Sequence, residues 1–395
     1  MNSIERVRAA LKFKRPDKVP FFQFPGKSDI IIIPRTPSHH WHPGHNEKEK
    51  GLFPYMAIPE IMKLGFWKWQ KPEWAKGPKY KNWMELPRKS IDEWGVIWDH
   101  SELDTVGHPY KSPLSDYTQM EEYFAEHTPN SDEKEIFEPF IKLYDKFAKN
   151  CYRICLAGYG PFTLATLIRG FSQLLIDHRK YKSQVKKLLE HSTNYHVNLV
   201  KMYVKHGAKP HGFIIYDDLG EQNGPFVGPK MFEEFYKPLY KRFFDTVHNL
   251  GCDMHMHCCG KIDPILPILI DCGLDAVQLD SPRMTGYPAL NQFRGKLMMW
   301  GCVNIQSIYP NGTPEECERE VWHMIRNLGT QEGGFGGWLY PSPSQIRVPK
   351  ENVDAFLNGL RKYGNYSNIP AHWWTYPLSP EWRDNEVPPT PPVKI

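Results

Sequence analysis

Gly212-Phe213-Ile214-Ile215-Tyr216-Asp217-Asp218 and Cys252-Asp253-Met254-His255-Met256-His257-Cys258-Cys259-Gly260-Lys261 decide the fold. Each is a short strand-like run that ends in polar, chemistry-bearing residues. Between them, residues 229–249 read as a helix. Working toward the C-terminus, the same alternation continues. Helix 262–272 precedes strand 276–279, and short helix 290–293 precedes strand 297–301. Helix 314–328, strand 338–340 and helix 353–363 complete the series. Toward the N-terminus, strand 152–157 lies between helix 135–150 and helices 162–176 and 181–206. A first helix over 4–12 starts from Ser3 as N-cap and stops before Pro16. Residues 20–33 read as extended.

Repeated right-handed βα units build a parallel sheet buried on both faces. With the N-terminal strand and strands of the 34–130 region included, the count approaches eight. The expected fold is therefore an α/β (β/α)8 TIM barrel. No Gly-x-Gly-x-x-Gly follows the first strand, which argues against a dinucleotide-binding sheet. The expected organisation is a single barrel domain over 1–369. Within it, 34–130 forms a large irregular, aromatic-rich insertion or lid. A Pro-rich tail over 370–395 lies in a groove of its own or of a partner subunit.

Composition narrows the function classes. Lys plus Arg number 49 against 45 Asp plus Glu, a net charge of +4, which gives no electrostatic case for nucleic acid. No apolar run is long enough for a membrane span. The amphipathic start lacks the apolar core of a signal peptide, and the eight cysteines lack regular spacing. Both features lead us to expect a cytoplasmic protein with free thiols. The insertion carries Phe66, Trp67, Trp69, Trp74, Trp83, Trp94 and Trp98 without helical period. These rings either pack the insertion onto the body or, as for Trp94, line a pocket for an aromatic substrate.

In such barrels the active site lies at the carboxyl ends of the strands. The first candidate end is Asp217-Asp218-Leu219-Gly220-Glu221-Gln222. Buried carboxylates are costly without a partner, so a metal, an arginine or a polar substrate is expected nearby. A capping Asp with solvated neighbours is the alternative. The second end is His255-Met256-His257-Cys258-Cys259-Gly260-Lys261. Side chains alternate along a strand, so His257 and Cys259 share a side, with His255 on it too and Cys258 opposed. A nitrogen and a sulfur donor suit zinc. Two ligands do not close a site, so a third must come from elsewhere: Glu221 is the first choice and Asp218 the second. Gly260 gives the turn its freedom. Asn304 and Gln306 after one strand, and Gln345 after the last, are candidate substrate-binding amides. Cys302 has no support as a nucleophile, and the His39–His45 run reads as a solvated loop.

These pieces together resemble the uroporphyrinogen decarboxylase superfamily. The resemblance rests on Glu5-Arg6-Val7, Arg15-Pro16-Asp17-Lys18-Val19-Pro20, Asp92-Glu93-Trp94-Gly95, Asp217-Asp218-Leu219-Gly220 with Gln222, and His257-Cys258-Cys259-Gly260-Lys261. Gly312-Thr313-Pro314-Glu315-Glu316 and Pro349-Lys350-Glu351-Asn352-Val353 extend it. It implies a (β/α)8 barrel. Decarboxylases of the family carry an early Arg-Gln-Ala-Gly-Arg segment that binds substrate carboxylates. Here that stretch is Phe22-Gln23-Phe24-Pro25-Gly26-Lys27, without paired arginines. The other branch holds corrinoid (cobalamin)-dependent methyltransferases, many with a His-x-Cys pair on zinc. Several add a cysteine from the last strand end. Here Ser342-Pro343-Ser344-Gln345 stands there instead. A Glu221/His257/Cys259 site, or a site without metal, therefore stays open.

The resemblance implies methyl transfer between a small molecule and the cobalt of a corrinoid on a partner protein. Asp217, Asp218, Glu221 and His257 would form the catalytic set, and the aromatic insertion would favour an aryl methyl ether (O-demethylation). No nucleic acid or membrane partner is expected, and a homodimer is compatible. The runner-up is a decarboxylase of the uroporphyrinogen type, which needs arginines at the barrel mouth; Arg35, Arg169 and Arg347 are the candidates. A tetrapyrrole- or corrinoid-binding carrier is disfavoured because Asp-x-His-x-x-Gly is absent.

Overall fold

The computed structural model describes residues 1–23, 27–35, 89–99, 108–340, 343–375, 377 and 387. The expected barrel is present. Its eight strands form one nearly closed sheet in the order β1-β11-β10-β9-β8-β7-β6-β2. These are β1 (Phe21–Phe22), β2 (Ile30–Ile33), β6 (Tyr152–Tyr159), β7 (Gly212–Tyr216), β8 (Asp253–Cys258), β9 (Ala276–Leu279), β10 (Met298–Gly301) and β11 (Phe335–Trp338). A separate antiparallel sheet joins β3 (Lys89–Ile91), β4 (Ile97–Asp99) and β5 (His108–Lys111).

The chain divides into two compact units. The first comprises 1–32, 148–158 and 210–395, and the second 33–147 and 159–209. The first holds the barrel sheet and the helices after β7 to β11. Helix Pro314–Leu328 matches its expected limits, and Thr313 and Glu316 close a capping box at its start. The first helix starts one residue earlier than expected: Asn2 is its cap, with Glu5 completing the box.

One expected strand is misplaced. The last barrel strand is Phe335–Trp338, not 338–340. Its Gly336 and Gly337 hide it from an apolar-run reading. Their bareness is what the fold uses. A Cβ on Gly336 would stand 2.2 Å from the Trp300 ring, and one on Gly337 would stand 2.6 Å from Leu360. Bulky neighbours fill the places where side chains would be.

Two expected helices are each divided. Residues 162–176 split at Gly170, whose φ of +93° ends Pro161–Arg169 and starts Phe171–Lys180. Residues 229–249 split into Pro229–Phe235 and Lys237–Asn249, where Pro238 cannot donate a helical hydrogen bond.

In the second unit, β4 is one of the strands expected in the 34–130 region, and a turn over residues 92–96 leads into it. The Asp92 carboxylate accepts from Trp94 N (2.9 Å), Val96 N (3.0 Å) and Trp98 Nε1 (2.9 Å). Trp94 is buried there, edge-on to Tyr195 at 4.9 Å. Arg35 bonds Glu93 and Tyr195, and Arg169 bonds Asp177 at 2.7 Å. Phe66, Trp67, Trp69, Trp74 and Trp83, together with His39–His45, lie outside the described residues.

Two points of the tail rest on helix Pro314–Leu328 of the first unit. Trp373 is buried, 5.8 Å from Trp322, and the Val387 carbonyl accepts from Arg319 Nη2 at 3.3 Å. All eight cysteines are free. Among the described residues no helix is long and apolar enough to cross a membrane.

Candidate metal centre

Parallel register builds the site one row at a time. Tyr216 pairs with His257, His257 with Gln278, and Gln278 with Trp300. One row lower, Ile214 pairs with His255 and His255 with Ala276. His255 thus shares the inward side with His257, as alternation predicts, but lies deeper. It is buried, its Nδ1 accepts from Trp300 Nε1 at 3.3 Å, and it fills the barrel interior.

At the mouth, Asp218, His257 and Cys259 each present a donor atom, all within 4.8 Å of one another. His257 Nε2 lies 3.1 Å from Cys259 Sγ and 3.8 Å from Asp218 Oδ1. Bonds of about 2.0–2.3 Å in a zinc tetrahedron put neighbouring donors roughly 3.3–3.6 Å apart. The observed spacings bracket that range, so the residues fit a zinc-sized ion with nitrogen, sulfur and oxygen donors. Desolvation and the carboxylates of Asp218 and Asp280 push the Cys259 thiol far up, although one side of the residue reaches solvent. Two acids and a thiol around one imidazole form a place where a cation would relieve repulsion.

The structure brings Asp218, the second choice, to the pair instead of Glu221. Glu221 is exposed, and its main chain explains why it belongs to the loop. Its N–H donates to Gly224 O (2.9 Å) and its C=O accepts from Lys261 N (2.8 Å). This second bond ties the loop after β7 to the loop after β8. The approach is close: a Cβ on Gly260 would lie 1.9 Å from Gly220 O, and one on Gly220 would lie 2.5 Å from Lys261 O. Gly260 is thus needed for backbone contact, not for turn freedom as expected. Asp218 Oδ1 accepts from Cys259 N at 3.1 Å and fastens the same junction.

Asp217 turns the other way. It is buried, its N–H donates to His257 O at 3.0 Å, and its carboxylate accepts from the Tyr240 hydroxyl on helix Lys237–Asn249. Cys258 is opposed to Cys259, as predicted, and is buried. Asn304 is buried, and its Oδ1 caps the next turn by accepting from Gln306 N (2.8 Å) and Ser307 N (3.2 Å). Gln306 is exposed, and the side chain of Gln345 lies outside those described.

Two residues at this end escaped the sequence reading. Gln278 and Asp280 are both buried at the end of β9. Gln278 Oε1 meets His257 Nδ1, and Gln278 Nε2 donates to Asp280 Oδ1 at 3.1 Å. Asp280 Oδ2 lies 3.6 Å from Cys259 Sγ. A carboxylate just past a barrel strand was the signal that singled out Asp217 and Asp218, and the same signal is present at Asp280.

The family model described as Uroporphyrinogen decarboxylase (URO-D) matches residues 110–362. A solved structure of a methyltransferase from Methanosarcina mazei is similar in fold, with a TM-score of 0.57 at 15% sequence identity; the match covers 92% of this chain and 99% of that one. No curated protein matches the sequence. The barrel, its glycine-pinned mouth and a family match over more than half of the sequence converge: the chain belongs to the uroporphyrinogen decarboxylase family.

Proposed function

We propose that this protein is a metal-assisted methyltransferase that moves a methyl group between a small molecule and the cobalt of a corrinoid carried by a partner protein. The convergence of Asp218, His257 and Cys259 on one point at the barrel mouth carries this reading. His257 and Cys259 would hold a zinc ion, with Asp218 as the oxygen donor. Bound there, zinc supplies Lewis acidity, which polarises a methyl ether oxygen in one direction or holds an acceptor thiol as thiolate in the other. An aryl methyl ether is the substrate class we favour, on the aromatic richness of residues 34–130.

The chain's own residues then have distinct tasks. Cys259 must lose its proton for the site to load, so loading releases acid. Asp218 holds the Cys259 main chain while offering an oxygen. Tyr216 stands edge-on to His257 at 5.0 Å and walls one side. The M. mazei protein, a methyltransferase by its description, supports this choice of chemistry within the shared fold. A reducing compartment goes with the proposal, and eight free thiols favour it.

The decarboxylase alternative needs unengaged arginines to receive substrate carboxylates. Arg35 and Arg169 are committed to Glu93 and Asp177, and Arg347 is exposed. The test is methyl loss from a methoxyarene in the presence of a reduced corrinoid protein, alongside metal analysis of the purified chain. Turnover with wild type and none with His257→Ala or Cys259→Ala is expected; equal turnover in all three would refute the role of the centre.

A further inference from the structure

We infer that Gln278 and Asp280 act as a positioning relay that fixes His257 in the tautomer able to bind metal. This inference rests on the proposed metal centre but adds residues and a mechanism to it.

Donor and acceptor identities alone set the relay. Gln278 Nε2 lies 3.1 Å from Asp280 Oδ1. A carboxylate accepts and does not donate, so it draws the amide nitrogen and turns the amide oxygen the other way. That oxygen meets His257 Nδ1. An amide oxygen also only accepts, so Nδ1 must carry the hydrogen. A neutral imidazole has one N–H. Nε2 is therefore left with its lone pair, and Nε2 is the atom 3.1 Å from Cys259 Sγ and 3.8 Å from Asp218 Oδ1.

Register makes the relay rigid. His257 and Gln278 are directly paired on adjacent parallel strands, so their side chains leave the sheet side by side. Gln278 is 1% exposed and Asp280 7%, so water is largely kept from the bonds that set the amide. Trp300, the next partner in the row, is fully buried and backs Gln278. Asp280 has a second contact in the site: its Oδ2 lies 3.6 Å from Cys259 Sγ. One carboxylate thus orients both the nitrogen donor, through the amide, and the sulfur donor directly.

Outer partners of metal-bound histidines typically change metal affinity by about 10–100-fold when removed. Two readouts separate the relay from the centre itself. The first needs no metal: nitrogen NMR of histidine-labelled apoprotein, at a pH where free imidazole is neutral, reports which ring nitrogen carries the hydrogen. Wild type is expected to be protonated at Nδ1 of His257. Gln278→Leu and Asp280→Asn are expected to give a mixed tautomer. The second is zinc affinity by chelator competition. Gln278→Leu should weaken zinc by about 10–100-fold, and Asp280→Asn by less. Gln278→Glu keeps an acceptor against Nδ1 and, with a single proton held between the new carboxyl and Asp280 in place of the amide N–H, is expected to retain both the tautomer and zinc binding. It also serves if Gln278→Leu fails to fold.

A wild-type His257 protonated at Nε2 would overturn the relay, whatever the metal result. So would unchanged zinc affinity in both Gln278→Leu and Asp280→Asn. If wild type shows the Nδ1–H tautomer but binds no zinc, the metal reading fails while the relay's geometry stands.

Discussion

The two ends of strand β8 face opposite demands. At its start, Asp253 is matched by Lys12 Nζ (2.7 Å) and the Tyr152 hydroxyl (2.6 Å). Beside it, Asp275 accepts from Met254 N (2.8 Å) and His248 Nε2 (2.7 Å), with Lys12 at 3.2 Å. Acids there meet a cation and several donors. At its end, the carboxylates of Asp218 and Asp280 and the Cys259 thiol gather around one imidazole. The same six-residue strand thus has its acids matched by a lysine and several donors at one end, and two acids and a thiol sharing one imidazole at the other. Barrels characteristically separate stability and chemistry in this way, with the site at the carboxyl ends. Substitutions at the start should therefore move stability, and those at the end should move metal binding.

The largest expected effect is at the end. His257→Ala or Cys259→Ala removes a direct donor, so zinc affinity should fall by more than the roughly 100-fold ceiling of outer-shell changes. Equilibrium dialysis checks this, and thermal unfolding of the apoprotein should change little. Gly260→Ala comes next. Its Cβ would collide with Gly220 O, so the loops must part; we expect a loss of about 1–3 kcal/mol in denaturant unfolding together with weaker zinc binding.

Tyr152→Phe sharpens the contrast from the other end. It removes a buried hydroxyl that donates to a carboxylate, which should cost about 1.5–3 kcal/mol with zinc affinity unchanged. A fall in zinc binding here would blur the division between the two ends.

The smallest effect is a pH dependence. Burial would raise the Asp275 carboxyl, but hydrogen bonds from His248 and Met254 N–H, with Lys12 nearby, outweigh it and hold the value at about 2. A carboxyl lower in the folded than in the unfolded chain stabilises above the unfolded value and loses that contribution as pH falls toward the folded one. Asp275 should therefore contribute about 2 kcal/mol above roughly pH 4, lost between about pH 4 and pH 2. Asp275→Asn should flatten that acid limb of the stability curve, and an unaltered limb would contradict the assignment.

How much of this was legible in the sequence follows from what is local. Gly212–Tyr216 is a continuous apolar run and Ala276–Leu279 is apolar except for Gln278, so their strands could be read directly. The His-x-Cys pair needed only the alternation of one strand. By contrast, Phe335–Trp338 is a strand because Trp300 and Leu360 fill the space above its glycines, and those partners are distant in sequence. The choice of Asp218 over Glu221 depends on how two loops touch at Gly220 and Gly260. The relay through Gln278 depends on which residue of β9 stands opposite His257. Cross-strand register is set by the closed sheet and is invisible along any single segment.

The proposed metal centre joins His257, Cys259 and a carboxylate at the barrel mouth. X-ray absorption spectroscopy of the zinc-loaded protein reads its donor atoms. One zinc per chain is expected, with one sulfur donor and the remaining donors nitrogen and oxygen, and the sulfur should be lost in Cys259→Ser. A zinc shell without sulfur, or no zinc retained at all, would contradict it.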